Sequence, residues 1–284
     1  MQSSELILNS DGSIYHLHLH PEDISDTIIT VGDPNRVADV SKYFDTIEIK
    51  KAYREFVTHT GHLNGKRLTV ISTGIGTDNI DIVLNELDAL VNIDLKTRKV
   101  KDKLRQLQFI RVGTSGCLRP EIPVDSLLIS EYAVGWDGLG FFYKKNQTAE
   151  NENFYQSLKN KMPDIPFYTA SASPFLVEQF ASSIFNKGIT LTCSGFYAPQ
   201  IRQLRLPVRF PNFFEKIQAF SHKNLHITNM EMETAGIYLL AQMLGHQAIS
   251  INALLANRMT GNFSKNPQLV VENMIKKVLK ILTH

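Results

Sequence analysis

The sequence predicts an α/β protein of three layers, with helices on both sides of a central sheet, in one large domain or two small ones. Three observations carry this. Short β-branched runs recur along the chain and stop at turn residues, apolar stripes at helical spacing lie between several of them, and the chain closes in an amphipathic helix. Near-continuous apolar runs suit strands buried on both faces. At 43% hydrophobic and 20% charged residues, the chain has ample core for a domain of this size.

Thr27-Ile28-Ile29-Thr30-Val31 stops at Gly32 and is the first expected strand. Leu68-Thr69-Val70-Ile71-Ser72 stops at Thr73-Gly74, and Phe109-Ile110-Arg111-Val112 stops at Gly113. Ser126-Leu127-Leu128-Ile129 follows a proline-bounded turn. Ile189-Thr190-Leu191-Thr192-Cys193 and Ala248-Ile249-Ser250-Ile251-Asn252-Ala253-Leu254 complete the set. Among the helices, Ile80, Val83, Leu84, Leu87 and Leu90 form one apolar stripe. Ile237, Leu240, Ala241 and Leu244 form another, with Gly245 placed to end it. In the last helix Leu269, Val270, Met274, Val278, Leu279 and Leu282 are expected to face inward. The charged stretch from Asn92 to Gln106 (92–106) is expected to be a solvated helix extension or insertion rather than a basic binding patch.

A net charge of only +2 gives no reason to expect a nucleic-acid or membrane surface. Cys117 and Cys193 both lie among apolar or small residues and read as buried thiols, not a disulfide framework. Met1-Gln2-Ser3-Ser4-Glu5 has neither a basic stretch nor a long apolar one, so the cytoplasm is the expected location.

The chemistry begins with arginines beside glycines at the ends of apolar runs. Arg36 closes Gly32-Asp33-Pro34-Asn35-Arg36, Arg54 opens Arg54-Glu55-Phe56, and Arg111 precedes Val112-Gly113-Thr114-Ser115-Gly116. Guanidinium groups converging with glycine-exposed backbone N–H groups make an anion site, and phosphate is the anion expected. Taken alone, Gly32 to Arg36 also reads as an ordinary strand-to-helix turn. Ser72-Thr73-Gly74-Ile75-Gly76 and Val112 to Gly116 read either as binders of phosphate or sugar hydroxyls, Thr114 among them, or as tight strand–helix packing. Neither is a Walker loop or a nucleophile elbow.

Tyr15-His16-Leu17-His18-Leu19-His20 would place three imidazoles on one face if extended. No carboxylate or cysteine cluster of ligand spacing accompanies them, so no metal is expected, and one histidine binding a ligand hydroxyl fits better. Thr228 and Glu231 have capping-box spacing, which gives Glu231 a structural reading. Glu233, at the start of an apolar helix, can accept two hydrogen bonds from a vicinal diol such as that of ribose. Phe196-Tyr197-Ala198-Pro199-Gln200-Ile201-Arg202 reads either as a mobile loop or as a base site. Gln200 both donates and accepts and Arg202 donates, which matches a pyrimidine edge, and Phe196 offers a stacking face.

In this order these segments resemble the nucleoside phosphorylase superfamily, most closely its uridine phosphorylase branch, from Tyr15-His16-Leu17 to Asn257-Arg258. Phe196-Tyr197-x-x-Gln200-x-Arg202 looks like the uracil-recognition segment of that branch. Ala256-Asn257-Arg258 stands where purine-specific relatives carry a Ser-Asp pair. The resemblance implies one α/β/α domain, residues 1–284, around a mixed, partly barrel-like sheet. It implies that Gly32, Arg36, Arg111 and Thr114 hold phosphate, with Arg54 supplied by a neighbouring subunit. It further implies that Met232 and Glu233 hold ribose, supported by Glu231, while the neighbour's copy of His16 meets the 5′-hydroxyl. Phe196, Gln200 and Arg202 would take the base, with Arg258 nearby.

The implied reaction is phosphorolysis of uridine to uracil and ribose 1-phosphate, a step of pyrimidine salvage. Arg202, Gln200, Glu233 and Arg111 would carry the catalysis. No organic cofactor is expected. Thr77-Asp78-Asn79 stands where relatives often have Gly-Pro-Ser, which weighs against carrying over the monovalent-cation site that some of them build near the counterpart of Glu55. A site shared between chains implies a homo-oligomer, at least a dimer, and the branch implies a hexamer. A purine nucleoside phosphorylase, a nucleosidase on the same fold and a noncatalytic nucleoside-binding protein are the alternatives.

Overall fold

Successive strand residues point to opposite faces, so a strand buried on both sides must feed two cores. The first strand, β1 (Thr27–Val31), does so: Ile28 enters one hydrophobic core while Ile29 and Val31 enter another. The computed structural model describes residues 1–144, 148–162, 165–182 and 184–283. After β1 come helix α1 (Pro34–Ser41), strands β2 (Thr46–Tyr53), β3 (Phe56–Leu63) and β4 (Lys66–Ser72), and helix α2 (Thr77–Asn92). A short hairpin, β5 (Ile93–Asp94) and β6 (Lys99–Val100), leads to the long strands β7 (Gln108–Cys117) and β8 (Leu127–Trp136). Helix α3 (Ala149–Lys159), β9 (Tyr168–Ser171), α4 (Pro174–Gln179), β10 (Phe185–Cys193) and α5 (Phe213–Gln218) follow. The chain ends with β11 (Ser221–His222), β12 (Leu225–Glu231), α6 (Thr234–Met243), β13 (Gln247–Asn257), β14 (Asn262–Phe263) and α7 (Pro267–Thr283).

The main sheet runs β11-β12-β10-β8-β13-β7-β1-β4-β3-β2, and β12 also pairs with β7. That extra pairing closes β7, β13, β8, β10 and β12 into a five-stranded barrel, from which β1, β4, β3 and β2 extend as an open wing. β1, β4, β7 and β13 are parallel, whereas β8 is antiparallel to β13, so the sheet is mixed. Helices α2 and α6 cover one face with Ile80, Val83, Leu84, Leu87, Ile237 and Leu240. Helices α1, α4 and α7 cover the other with Val37, Val40, Leu176, Met274, Val278 and Leu279. The three-layer α/β architecture is the one the sequence pattern predicts, and the barrel-like sheet is the one the family resemblance implies.

Four local readings are corrected. The 92–106 stretch does not extend the helix: α2 ends at Asn92, whose Nδ2 and Oδ1 bond the Arg105 backbone, and the chain turns back as the β5–β6 hairpin. Gly113 does not end its strand, since β7 continues to Cys117. Leu269 faces solvent at 53% exposure because it lies in the first turn of α7, before that helix meets the sheet. His16, His18 and His20 do not share an extended face, because the segment is a turn with His18 at φ 53°. Both cysteines are free and buried. Among the described residues no helix is long and apolar enough to cross a membrane.

Candidate active site

Parallel strands release their loops on one side, and binding sites gather there. The turn after β1 shows how the sequence builds the first part. Asp33 caps α1 by accepting from the Asn35 N–H at 2.9 Å, and Pro34 occupies the first turn, where its missing N–H costs nothing. Arg36 therefore leaves the helix at its N-terminal end, with Nη1 3.4 Å from the Val112 carbonyl. Burial, and then the nearby charge of Arg111, depress the Arg36 pKa, so this guanidinium gains from any anion placed beside it.

Arg111 is the centre of the site. It leaves β7 between Thr30 of β1 and Ser250 of β13, and its guanidinium folds over Gly113 towards Asn252, the residue paired with Gly113. Nη1 donates to Asn252 Oδ1 at 2.8 Å and Nη2 to Glu233 Oε2 at 2.6 Å, while Glu231 Oε2 lies 3.1 Å from Nη2. Arg111 is only 6% exposed. Burial works against its charge, but Glu231 and Glu233 outweigh it and keep the guanidinium protonated. For Glu233 the balance is the reverse. Burial pushes its carboxyl pKa up, and Glu231 adds to this, while Arg111 and the Gly76 N–H, donating to Oε1 at 2.8 Å, pull it down. One guanidinium facing two carboxylates cannot fully compensate both.

Glu231 is not part of a capping box, because β12 runs through it and α6 starts only at Thr234. Its carboxylate instead accepts from the Glu233 and Thr234 N–H groups at 3.0 and 2.9 Å, and from the Thr192 and Thr234 hydroxyls at 2.6 and 2.8 Å. It thus joins the start of α6 to β10 and holds Glu233 in place.

Farther along β7, Gly116 marks the other end of the site. A Cβ there would lie 3.5 Å from Arg258 Cγ and 3.8 Å from Arg202 Nη2. Gly113 and Gly116 are three residue steps apart, about 10 Å of strand. Arg202 lies over the Phe196 ring, 3.9 Å from its centroid, and donates to Gln200 Oε1. That bond fixes the amide, leaving Gln200 Nε2 as donor and one Oε1 lone pair as acceptor. Arg258 donates to the Gln200 and Ile201 carbonyls and so anchors this segment from below. Burial, aided by Arg202, lowers the Arg258 pKa to about 10, and burial also lowers that of Arg202.

One cavity of about 1260 Å³ joins the two ends. Gly32, Arg36, Arg111, Thr114, Phe196, Gln200, Arg202, Glu231, Met232, Glu233 and Arg258 all line it. Arg54 and His16 do not. Arg54 is exposed at the tip of the β2–β3 hairpin with φ 53°, and the neighbouring Tyr53 ring stacks on His18 at 3.8 Å. His16 Nδ1 is held by Glu86 at 2.6 Å. The hairpin tip and the histidine segment therefore form one surface patch outside the cavity. Glu55 does line the cavity, and it accepts from Asn79 Nδ2 at 3.2 Å.

Ser250, Asn252 and Thr192 did not figure among the expected site residues. The signal was present: Ser250 and Asn252 are polar residues two apart in an otherwise apolar run, which places both on one strand face. Behind Arg111, Asn252 Nδ2 reaches Ser130 Oγ, which bonds Thr190, which bonds Asn229, which bonds Ser115 at the cavity wall. This buried polar chain crosses the barrel and ties the two ends of the site together.

The family model described as the Phosphorylase superfamily matches residues 26–284. The uridine phosphorylase of Thermococcus kodakarensis is 29% identical over 280 residues, covering 99% of this chain and 90% of that protein. A DeoD-type purine nucleoside phosphorylase of Caldanaerobacter subterraneus is 26% identical over 277 residues, covering 94% and 98%. Among solved structures, the Trypanosoma brucei nucleoside phosphorylase described as showing uridine phosphorylase activity superposes with a TM-score of 0.87 at 29% identity, covering 98% of this chain and 99% of that one. Fold, site geometry and family match agree: this chain belongs to the nucleoside phosphorylase superfamily.

Proposed function

We propose that the protein is a uridine phosphorylase that converts uridine and phosphate to uracil and ribose 1-phosphate. The observation that carries this reading is the pairing of Gln200, Arg202 and Phe196 in the same cavity as Arg36 and Arg111. Phosphate, held by Arg36, Arg111, Thr114 and the backbone at Gly32, attacks the anomeric carbon of ribose. Glu233 and Met232 hold the sugar. As the C–N bond breaks, its electron pair moves onto the pyrimidine, and the sugar gains oxocarbenium character opposite the phosphate charge.

Arg202 and Gln200 would meet that growing anion with N–H donors already aimed, which is stabilisation specific to the transition state. Arg258, close enough to Arg202 to depress its own pKa, adds positive potential there. Fixing phosphate and nucleoside in one cavity removes the entropic cost of a bimolecular encounter. Arg54 and His16, outside the cavity on one patch, would complete the site of an adjoining subunit in a homo-oligomer of the dimer or hexamer type.

A purine specificity is the second reading, favoured by the similarity to the DeoD-type enzyme. Comparing phosphorolysis of uridine with that of inosine separates the two. Arg202→Ala should lower kcat/KM for uridine by about 10–100-fold, the value of one charge-assisted hydrogen bond of about 1.5–3 kcal/mol. An unaltered kcat/KM in that variant, with uridine as the better wild-type substrate, would remove Arg202 from base recognition.

A further inference from the structure

Asp137 follows the last residue of β8 and does not line the cavity, yet its carboxylate reaches the start of α2, the helix that serves Glu233. It is partly buried and accepts from neutral donors: the Leu139 N–H at 2.9 Å, the Tyr168 hydroxyl at 2.8 Å and the Thr77 hydroxyl. Burial pushes its pKa up, and these donors pull it down. A carboxylate taken from water and met by neutral donors is costly to keep, so its place calls for a reason. Its support is rigid. A Cβ at Gly135 would lie 2.1 Å from Tyr168 Cζ, so the Tyr168 ring lies flush on the β8 backbone and its hydroxyl is set on Asp137.

Thr77 opens α2 directly after Gly76, whose N–H donates to Glu233 Oε1 at 2.8 Å. Gly76 holds φ 99° and ψ 160°, a conformation open essentially to glycine, and no side chain caps α2 there. Glycine has the widest choice of backbone conformations, so its surroundings must select this one. On one side the Thr77 hydroxyl is tied to Asp137. On the other its methyl packs on α6, where a Cβ at Gly236 would lie 2.9 Å from Thr77 Cγ2. The donor Gly76 and the acceptor Glu233 thus stand at the starts of two helices, α2 and α6, that meet at Thr77.

We propose that Asp137 is a positioning residue for sugar recognition, acting through the Thr77 hydroxyl to keep the Gly76 N–H aimed at Glu233. The inference rests on the reading that Glu233 holds ribose. Gly76 fixes Oε1 of that carboxylate and Arg111 fixes Oε2, so its plane is set for a diol. The charged groups acting on Glu233 are Arg111 of β7, Glu231 of β12 and Arg36 of α1, and all three stay in place when Thr77 is changed. Thr77→Val should raise the nucleoside KM about 3–10-fold, the value of one neutral hydrogen bond, and leave the phosphate KM unchanged. It should also move the acid limb of the nucleoside kcat/KM up by about 0.5–1 pH unit, because Glu233 loses a donor that favours its charged form. Thr77→Ser should keep wild-type values and Thr77→Ala should match Thr77→Val, so the hydroxyl is tested even if the valine variant does not fold. Asp137→Ala should raise the nucleoside KM likewise and add nothing to it in the Thr77→Val background, since both act through one bond.

A stability readout needs no turnover. The fall in Tm with rising pH that Glu233 produces should extend about 0.5–1 unit higher in Thr77→Val, and that extension should vanish in the Glu233→Gln background. Wild-type nucleoside KM and pH profile in both Thr77→Val and Thr77→Ala overturn the proposal. So do equal losses in Thr77→Ser and Thr77→Ala, which would assign the effect to the methyl packing, and a matching rise in the phosphate KM. Additive effects of Asp137→Ala and Thr77→Val would detach Asp137 from this path. A protein that turns over no nucleoside yet shows the Tm extension would refute the functional reading and support the positioning.

Discussion

Gly113→Ala tests the heart of the site with a single methyl group. A Cβ at this position would lie 1.9 Å from Arg111 Nη1, 2.5 Å from Cζ and 2.9 Å from Nη2, all far inside van der Waals contact. A long side chain in solvent would swing aside at little cost. Arg111 has nowhere to go, because Asn252, Glu231 and Glu233 hold its guanidinium and it is almost wholly buried. Displacing it separates a buried cation from two buried carboxylates, a disruption worth about 3–5 kcal/mol. Spread over the unfolding entropy expected for 284 residues, that is a fall in Tm of about 5–8 °C. The same displacement takes Arg111 from the position proposed to hold phosphate, so kcat/KM should fall at least about 100-fold through the loss of one or more charge-assisted bonds. Thermal melts and phosphorolysis kinetics on the one variant read both quantities. A Gly113→Ala protein with wild-type Tm and kcat/KM would refute the geometry of Arg111 over Gly113, and with it the role given to this guanidinium.

Two other outcomes are expected. Arg36→Ala and Arg54→Ala should each be severely impaired, yet randomly mixed subunits of the two should regain about a quarter of wild-type activity, since half of all dimers are then mixed and each carries one intact site. No recovery after verified subunit exchange would place Arg54 in its own chain's site. The raised Glu233 pKa sets a pH dependence. With the folded-state pKa above the unfolded one, its contribution to stability is fully present below about pH 4.5 and lost as pH rises through the higher folded value. The Tm advantage of wild type over Glu233→Gln should therefore shrink as pH rises across that range, and an advantage that grows instead would reverse the sign assigned to burial.

What the chain order alone determines here is local or additive. The runs at Thr27–Val31, Phe109–Val112 and Ala248–Leu254 are legible as strands because burial on both faces demands continuous apolar residues, and the stripe from Ile80 to Leu90 is legible because a helix repeats every 3.6 residues. The motif from Gly32 to Arg36 carries its own logic of cap, proline and projecting arginine. The β2–β3 hairpin and β12 leave no continuous apolar run, the first because its residues are polar and partly exposed, the second because Thr228, Asn229 and Glu231 are polar although buried. Only the tertiary structure decided which charges meet. Arg111 and Glu233 are 122 residues apart, and their contact exists because β7 pairs with both β13 and β12 and so closes a barrel around them. Likewise Gly113, read from sequence as a strand end, proves to be the gap through which Arg111 crosses its own strand. Spacing along the chain encodes periodicity, whereas the position of a buried ion pair depends on register between strands far apart in sequence, and that is settled only when the sheet closes.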